Sequence, residues 1–338
     1  MNPRMTIALL LAILVPAPLA SARTSSHDPR PHPRDAAATA SYVQRVEPAL
    51  VGLHVRAAAD RPSSARLGSQ RFSTAVVFDP RGYAVTVSYA VLDAVRIEAH
   101  LRDGRSVPAR VVGLDLDTGV AVLHLDADGP WPTAELASSA DVQVGAVTGT
   151  VGLDEDDDLV HVISTLKAVR RFSAFWEYML DRALLLAPSM ASWGGSAAVD
   201  ERGRVIGIVS LRLGDEPYVS LAIPAEKFLA IKDELIAVGR VLSRPARPWL
   251  GLYTAAEGGG VVVDGFNEAG PARTAGFKRG DHIVGVDGVD VGSQEEFYEA
   301  LWRRQAGDTI RVAVRRGTHV QTISVRSIDR HQLYLQTP

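Results

Sequence analysis

The sequence predicts an all-β body joined to a smaller α+β unit, and three observations carry that prediction. Short apolar, β-branched runs recur between turn signals with few helices among them, the pattern of antiparallel barrels or sandwiches. A proline-punctuated stretch, Ser243-Arg244-Pro245-Ala246-Arg247-Pro248, divides the chain. Beyond it, strand-like runs surround a single helix-like run. The 338 residues, 46% hydrophobic and 22% charged, suffice for two domains with real cores. Wholesale disorder, a collagen-like chain and a polytopic membrane protein are excluded. A net charge of -3 gives no global pull toward nucleic acid or anionic lipid. The absence of cysteine excludes disulfides, thiolate metal sites and a cysteine nucleophile.

Residues 1–22 read as a signal peptide. Arg4 supplies the positive start, Ile7 to Val15 the apolar stretch, and Ala20-Ser21-Ala22 the small-residue cleavage site. That stretch is far short of the roughly 20 residues a membrane span needs, and no cysteine follows it for lipid attachment. The chain is therefore expected to be exported, periplasmic or extracellular, with no stable membrane span. Residues 23–35 are polar and proline-broken and read as a flexible linker, in which His27 and His32 are expected to be solvated.

A domain over residues 36–242 opens with a short helix, Ala36 to Leu50. Strands are predicted at Val51 to Val55, Thr74 to Phe78, Ala84 to Val87, Val107 to Val112, Val120 to Leu125, Leu159 to Ser164 and Val205 to Ser210. Turn signals such as Asp79-Pro80-Arg81-Gly82 and Arg102-Asp103-Gly104 separate them. Ala225 to Val238 has helical spacing, with Phe228, Ile231, Leu235 and Ile236 on one stripe. After the 243–248 linker, the unit at 249–330 has strands at Gly260 to Phe266, His282 to Val286, Thr309 to Arg315 and Val320 to Val325, and a helix near Gln294 to Arg304.

Four segments carry a family resemblance in matching order. Ser73-Thr-Ala-Val-Val-Phe-Asp-Pro-Arg-Gly-Tyr-Ala-Val-Thr86 resembles the approach to the catalytic histidine in the HtrA (Do-like) family of exported trypsin-like serine proteases. Leu101 to Leu123 resembles that family's aspartate segment, Asp200 to Ile208 the stretch after its nucleophile, and Leu221-Ala-Ile-Pro224 its last protease strand. The C-terminal unit is similar to the family's PDZ domain: Trp249-Leu-Gly-Leu252 matches the carboxylate-binding loop, and Gly270 to Val284 the most recognisable PDZ segment. The resemblance implies a trypsin-like double β-barrel followed by a small α+β PDZ domain.

It also exposes what is missing. Such a hydrolase needs a serine, an imidazole to take its proton, a carboxylate to hold the imidazole, and backbone N–H groups for the oxyanion. The histidine position is Tyr89, and a phenol with a pKa near 10 is a poor base at neutral pH. The aspartate position is Gly119. In Ala191-Ser-Trp-Gly-Gly-Ser196, anchoring on the paired glycines puts Trp193 at the nucleophile position, whereas counting back from Gly203 puts Gly194 there. Neither leaves a serine. Loss of triad members costs about a million-fold in turnover, so no catalytic residue is expected and the domain reads as a pseudoprotease. The alternative is an active endopeptidase of protein quality control with a rearranged site, drawing on Ser189, Ser192 or Ser196. His54, His100, His124 and His161, however, lie in strand-like runs with no matching motif.

The implied function is a peptide-binding or regulatory module. The Trp249, Leu250, Gly251 and Leu252 loop would hold a terminal carboxylate while a peptide adds a strand to the sheet edge. Phe297 and Leu301 are candidates for the pocket wall, or equally for their helix's core face. Expected partners are C-terminal or unfolded segments of exported proteins, and active protease relatives. Homo-oligomerisation is admitted but unspecified. No nucleic acid, cofactor or metal is expected. The run Asp154 to Asp158 reads as a solvated acidic turn, lacking the spacing of a calcium loop. The crowded Phe172, Phe175, Trp176, Tyr178 and Met179 read as a lid or core, or more sharply as an aromatic surface for an apolar peptide.

Overall fold

The computed structural model describes residues 41–334. The expected signal peptide (1–22) and linker (23–35) lie outside the described residues. The chain enters through helical residues 41–46 and a short turn of helix at Glu47–Ala49, so the helix foreseen to Leu50 gives way to a strand there.

Six antiparallel strands close the first barrel: β1 (Leu50–Ala57), β2 (Gln70–Asp79), β3 (Tyr83–Val87), β4 (Ala94–Leu101), β5 (Ser106–Asp115) and β6 (Val120–Leu125), in the order β1-β2-β3-β6-β5-β4. Six more close the second: β7 (Val147–Leu153), β8 (Leu159–Ala174), β9 (Tyr178–Ala187), β10 (Ala197–Val199), β11 (Val205–Leu213) and β12 (Val219–Pro224), in the order β10-β11-β12-β9-β8-β7. Closure removes the exposed edges that strands otherwise present. One apolar cluster runs through both barrels, from Leu50, Val85 and Leu123 to Val151, Leu180 and Ile223. A second, Leu166, Leu184, Leu186, Ile206 and Val209, belongs to the second barrel alone.

The foreseen helix at 225–238 is two helices, Ala225–Leu229 and Lys232–Val238, yet its stripe is real: Phe228, Ile231 and Leu235 are buried. They close over β5, where Gly113 leaves no room for a side chain, since a Cβ there would lie 2.5 Å from the Leu235 carbonyl oxygen.

The C-terminal sheet comprises β13 (Leu252–Glu257), β14 (Gly260–Phe266), β15 (His282–Val286), the two-residue β16 (Val289–Asp290), β17 (Thr309–Arg316) and β18 (His319–Arg326). The helix Gln294–Leu301 packs on it, capped by Ser293 Oγ accepting from the Glu296 N–H at 3.2 Å. The double barrel and the α+β unit expected from the sequence are both present.

The linker is pinned. Arg244 pairs with Asp115, and Arg247 lies 3.6 Å from Asp117. Residues after β18 return to the first barrel, where Arg330 donates to the Asp117 carboxylate at 3.0 Å and to the Leu116 carbonyl at 2.6 Å. This return strap extends past the boundary expected at residue 330.

Candidate functional site

Tyr89 projects from the one-turn helix Ser88–Val91 into the cleft between the barrels. Its Oη donates to the Ser210 carbonyl at 2.8 Å. Burial pushes the phenol well above its ordinary pKa, with a smaller opposing hydrogen bond from the Trp193 side chain. Gly194 lies directly across from it: a Cβ there would stand 3.0 Å from Tyr89 Oη. The Gly194 carbonyl accepts from the Thr74 N–H at 2.9 Å and Ser73 Oγ at 3.0 Å. Trp193 instead packs its ring on the Leu166, Leu184 and Ile206 cluster, with the Arg212 guanidinium 5.8 Å from it. Of the two positions weighed from the sequence, Gly194 is the one whose missing side chain would face the phenol.

Gly119 closes the row. Its φ is +88°, a conformation in which a side chain is strained. A Cβ there would meet Tyr178 Oη at 2.9 Å, and Tyr178 donates to the neighbouring Thr118 carbonyl at 2.8 Å. Asp115 holds this turn, accepting from the Thr118 N–H at 2.9 Å and Thr118 Oγ1 at 2.6 Å. The residue matched to the family's acid is thus a glycine in a conformation that would strain any side chain, beneath a tyrosine. Ser196 Oγ is committed to the Ser192 carbonyl at 2.9 Å, and Ser189 Oγ to the Met190 carbonyl at 3.2 Å. Among the described residues, no serine hydroxyl pairs with an imidazole.

The second candidate site is filled by the chain itself. The turn between β8 and β9 presents Glu177, at φ +56°, to the Trp249 to Leu252 loop. One carboxylate oxygen accepts from the Leu250 N–H at 3.0 Å and the other from the Leu252 N–H at 2.7 Å. The Phe175 carbonyl accepts from the Thr254 N–H at 2.9 Å, continuing the alternate-residue pattern of an added strand. Tyr298, on the opposite wall, donates to the Ala174 carbonyl at 2.6 Å and accepts from the Glu177 N–H at 3.1 Å. Burial pushes the Glu177 carboxyl up to about 7, against the lowering pull of the Leu250 and Leu252 N–H groups and of Arg330. Gly251 is glycine of necessity: its φ is +78°, and a Cβ would lie 2.5 Å from the Gly270 Cα.

The sequence reading requires correction here. Leu250, Leu252, Phe297 and Leu301 are all fully buried, and Phe297 and Leu301 face the core of the C-terminal unit, to which Met179 adds from β9. They line no open pocket. Nor do the aromatics form a free surface: Phe172 and Tyr178 are core, and Phe175 packs edge-on against Tyr253 with ring centroids 5.5 Å apart. Arg171 on β8 reaches Glu299 at 2.6 Å, reinforcing the contact. Nothing in the sequence singles out Glu177, an isolated acid among aromatics.

Comparison with known proteins follows this division. Residues 73–208 match the trypsin-like peptidase domain family and residues 248–326 the PDZ domain family. Serine endoprotease DegS of Escherichia coli (strain K12) is 27% identical, over 94% of each chain. Serine protease Do-like HtrA of Lactobacillus helveticus is 26% identical over 70% of this chain, which spans only 62% of that relative's length. Protease Do-like 1, chloroplastic, of Arabidopsis thaliana is 30% identical over 74% of this chain and 62% of its own. Among solved structures, HtrA-type protease AlgW with a decapeptide superposes with a TM-score of 0.54 at 23% identity, covering 86% of this chain and 98% of AlgW. The serine endoprotease from Yersinia pestis gives 0.55 at 22%, covering 86% and 97%.

Proposed function

Because the chain is a homologue of the HtrA and DegS serine proteases, built as a trypsin-like peptidase domain followed by a PDZ domain, we propose that it is an exported pseudoprotease. It binds peptides or proteins through its PDZ domain without cutting them. The observation that carries this reading is the pairing of Tyr89 with Gly194: a protonated phenol, already donating to Ser210, faces a residue with no side chain. Proton abstraction from an alcohol has neither an acceptor nor an alcohol there. Export is supported by the amino-terminal segment and by relatives such as the probable periplasmic serine endoprotease DegP-like of Halomonas elongata. No helix among the described residues is long and apolar enough to cross a membrane.

Peptide capture competes with Glu177. The loop that would take a terminal carboxylate already binds one from its own chain, so the apparent affinity for a peptide is scaled down by the fraction of molecules in which the loop is open. The test is a titration with peptides ending in a free carboxylate against the same peptides amidated, on wild type and Glu177→Ala. The expected result is a preference for the free carboxylate and at least about tenfold tighter binding by the variant. Equal binding of amidated peptides, or no gain in the variant, contradicts the assignment of this loop.

A further inference from the structure

Away from the cleft, two imidazoles and a carboxylate converge from three elements of the two barrels. We propose that His54, His100 and Asp157 form a binding site for a borderline divalent transition-metal cation of the zinc type. His54 stands on β1 and His100 on β4, with their rings stacked at 4.1 Å. Asp157 comes from the turn between β7 and β8 of the other barrel. Its Oδ2 lies 3.0 Å from His54 Nε2 and 2.6 Å from His100 Nδ1, and the three ligand atoms fall within 4.8 Å of one another.

The fold builds this arrangement. Gly52 is the β1 residue opposite His100, and a Cβ on it would lie 1.9 Å from Asp157 Oδ1, so the carboxylate occupies the space a side chain would take. Asp157 itself sits at φ +64°, a conformation rarely held without cause. The Asp157 carbonyl accepts from Arg102 at 2.7 Å, and Arg102 in turn pairs with Glu47 at 3.2 Å. Asp154 caps the same turn through the N–H groups of Asp156 and Asp158, leaving Asp157 directed at the histidines. Phe72 walls the site, its ring 5.3 Å from that of His54.

Ligand chemistry selects the ion. Two imidazole nitrogens with one carboxylate oxygen suit zinc and its neighbours, whereas calcium and magnesium prefer oxygen throughout. Zinc bonded at about 2.0 to 2.2 Å to tetrahedral ligands holds them roughly 3.4 Å apart, so each carboxylate–imidazole distance, 3.0 Å to His54 and 2.6 Å to His100, has to widen by less than an ångström. The fourth position is left to water. The bound cation would tie the β7–β8 turn to β1 and β4, fastening one barrel to the other. This departs from the expectation of strand-satisfied histidines and a solvated acidic turn.

Titration of the metal-free full chain with zinc chloride by calorimetry tests the site. One equivalent is expected to bind, raising the melting temperature by about 5 °C at hundredfold excess over Kd. Co²⁺ should give the intense visible absorption of a four-coordinate site. His100→Gln and Asp157→Asn are each expected to weaken binding at least about 100-fold. Gly52→Ala, which leaves all three ligand residues in the sequence but whose Cβ would displace the Asp157 carboxylate, should do the same. His161→Gln, and a variant carrying His27→Gln with His32→Gln, should bind as wild type does. Failure of the wild type to bind at micromolar zinc, or loss of binding in the His27/His32 variant with retention in Asp157→Asn, overturns the proposal.

Discussion

Tyr89, protonated at neutral pH like any phenol, is a still poorer proton acceptor here, because burial raises its pKa and its Oη already donates to the Ser210 carbonyl. At Gly119 the backbone itself resists a side chain. With φ at +88° and Tyr178 Oη 2.9 Å from where a Cβ would sit, Gly119→Asp is expected to destabilise the chain by about 1 to 3 kcal/mol. Urea denaturation of the variant measures this. Glu177 gives a pH dependence of defined sign. Its folded pKa of about 7 lies above the ordinary 4.5, so its contribution is most favourable below pH 4.5 and is lost as pH rises to 7. Relative to Glu177→Gln, the wild type should therefore lose about 3 kcal/mol between pH 4 and pH 8. A constant difference across that range would contradict the buried position of this carboxyl.

The hairpin of β8 and β9 is the element that joins the barrels to the PDZ unit. Tyr298 serves it twice, donating to the Ala174 carbonyl and accepting the Glu177 N–H. Tyr298→Phe removes the hydroxyl that meets the Ala174 carbonyl, the Glu177 N–H and Thr254 Oγ1 and is expected to cost about 1 to 3 kcal/mol. Hydrogen exchange should show faster exchange at Glu177 and Thr254, with the interiors of both barrels unchanged. Legibility in the sequence followed the origin of each signal. β6 and β14 are recovered to the residue because their apolar runs begin and end at turn residues. β4 escapes a search for continuous apolar runs because Arg96, Glu98 and His100 alternate with Ile97, Ala99 and Leu101, and β10 because it has only three residues. β8 reaches Ala174 and not Ser164 because its distal half pairs with β9 beyond the apolar stretch. The order of the motifs points to Tyr89 and Gly119 but leaves Trp193 and Gly194 open, because that choice depends on which side chain turns toward the phenol. The carboxylate of Glu177 was not legible, because its partner N–H groups lie more than 70 residues away, at Leu250 and Leu252, and the same holds for Asp157, which meets His54 and His100 only once two barrels have closed.

Across the whole molecule, the PDZ unit is held on the barrels by buried charge and not by a free hinge. Arg330 donates to Asp117, to the Leu116 carbonyl and to the Glu177 carbonyl at 2.9 Å. Arg330→Met removes the cation nearest Asp117, leaving Arg244 and Arg247 at 3.5 and 3.6 Å, and takes the donor from the Leu116 and Glu177 carbonyls; it should cost about 1 to 3 kcal/mol, with an increased radius of gyration in solution scattering as the PDZ unit detaches. Detachment would also free the Leu250 and Leu252 N–H groups for an external carboxylate, so this variant should bind peptide more tightly than wild type. The most direct test of the whole account is incubation of the purified full chain with unfolded casein and with a serine-reactive fluorophosphonate, with and without a free-carboxylate peptide. The account predicts intact casein and no labelling in either condition. Cleavage and labelling that disappear in Ser192→Ala or Ser196→Ala would contradict it.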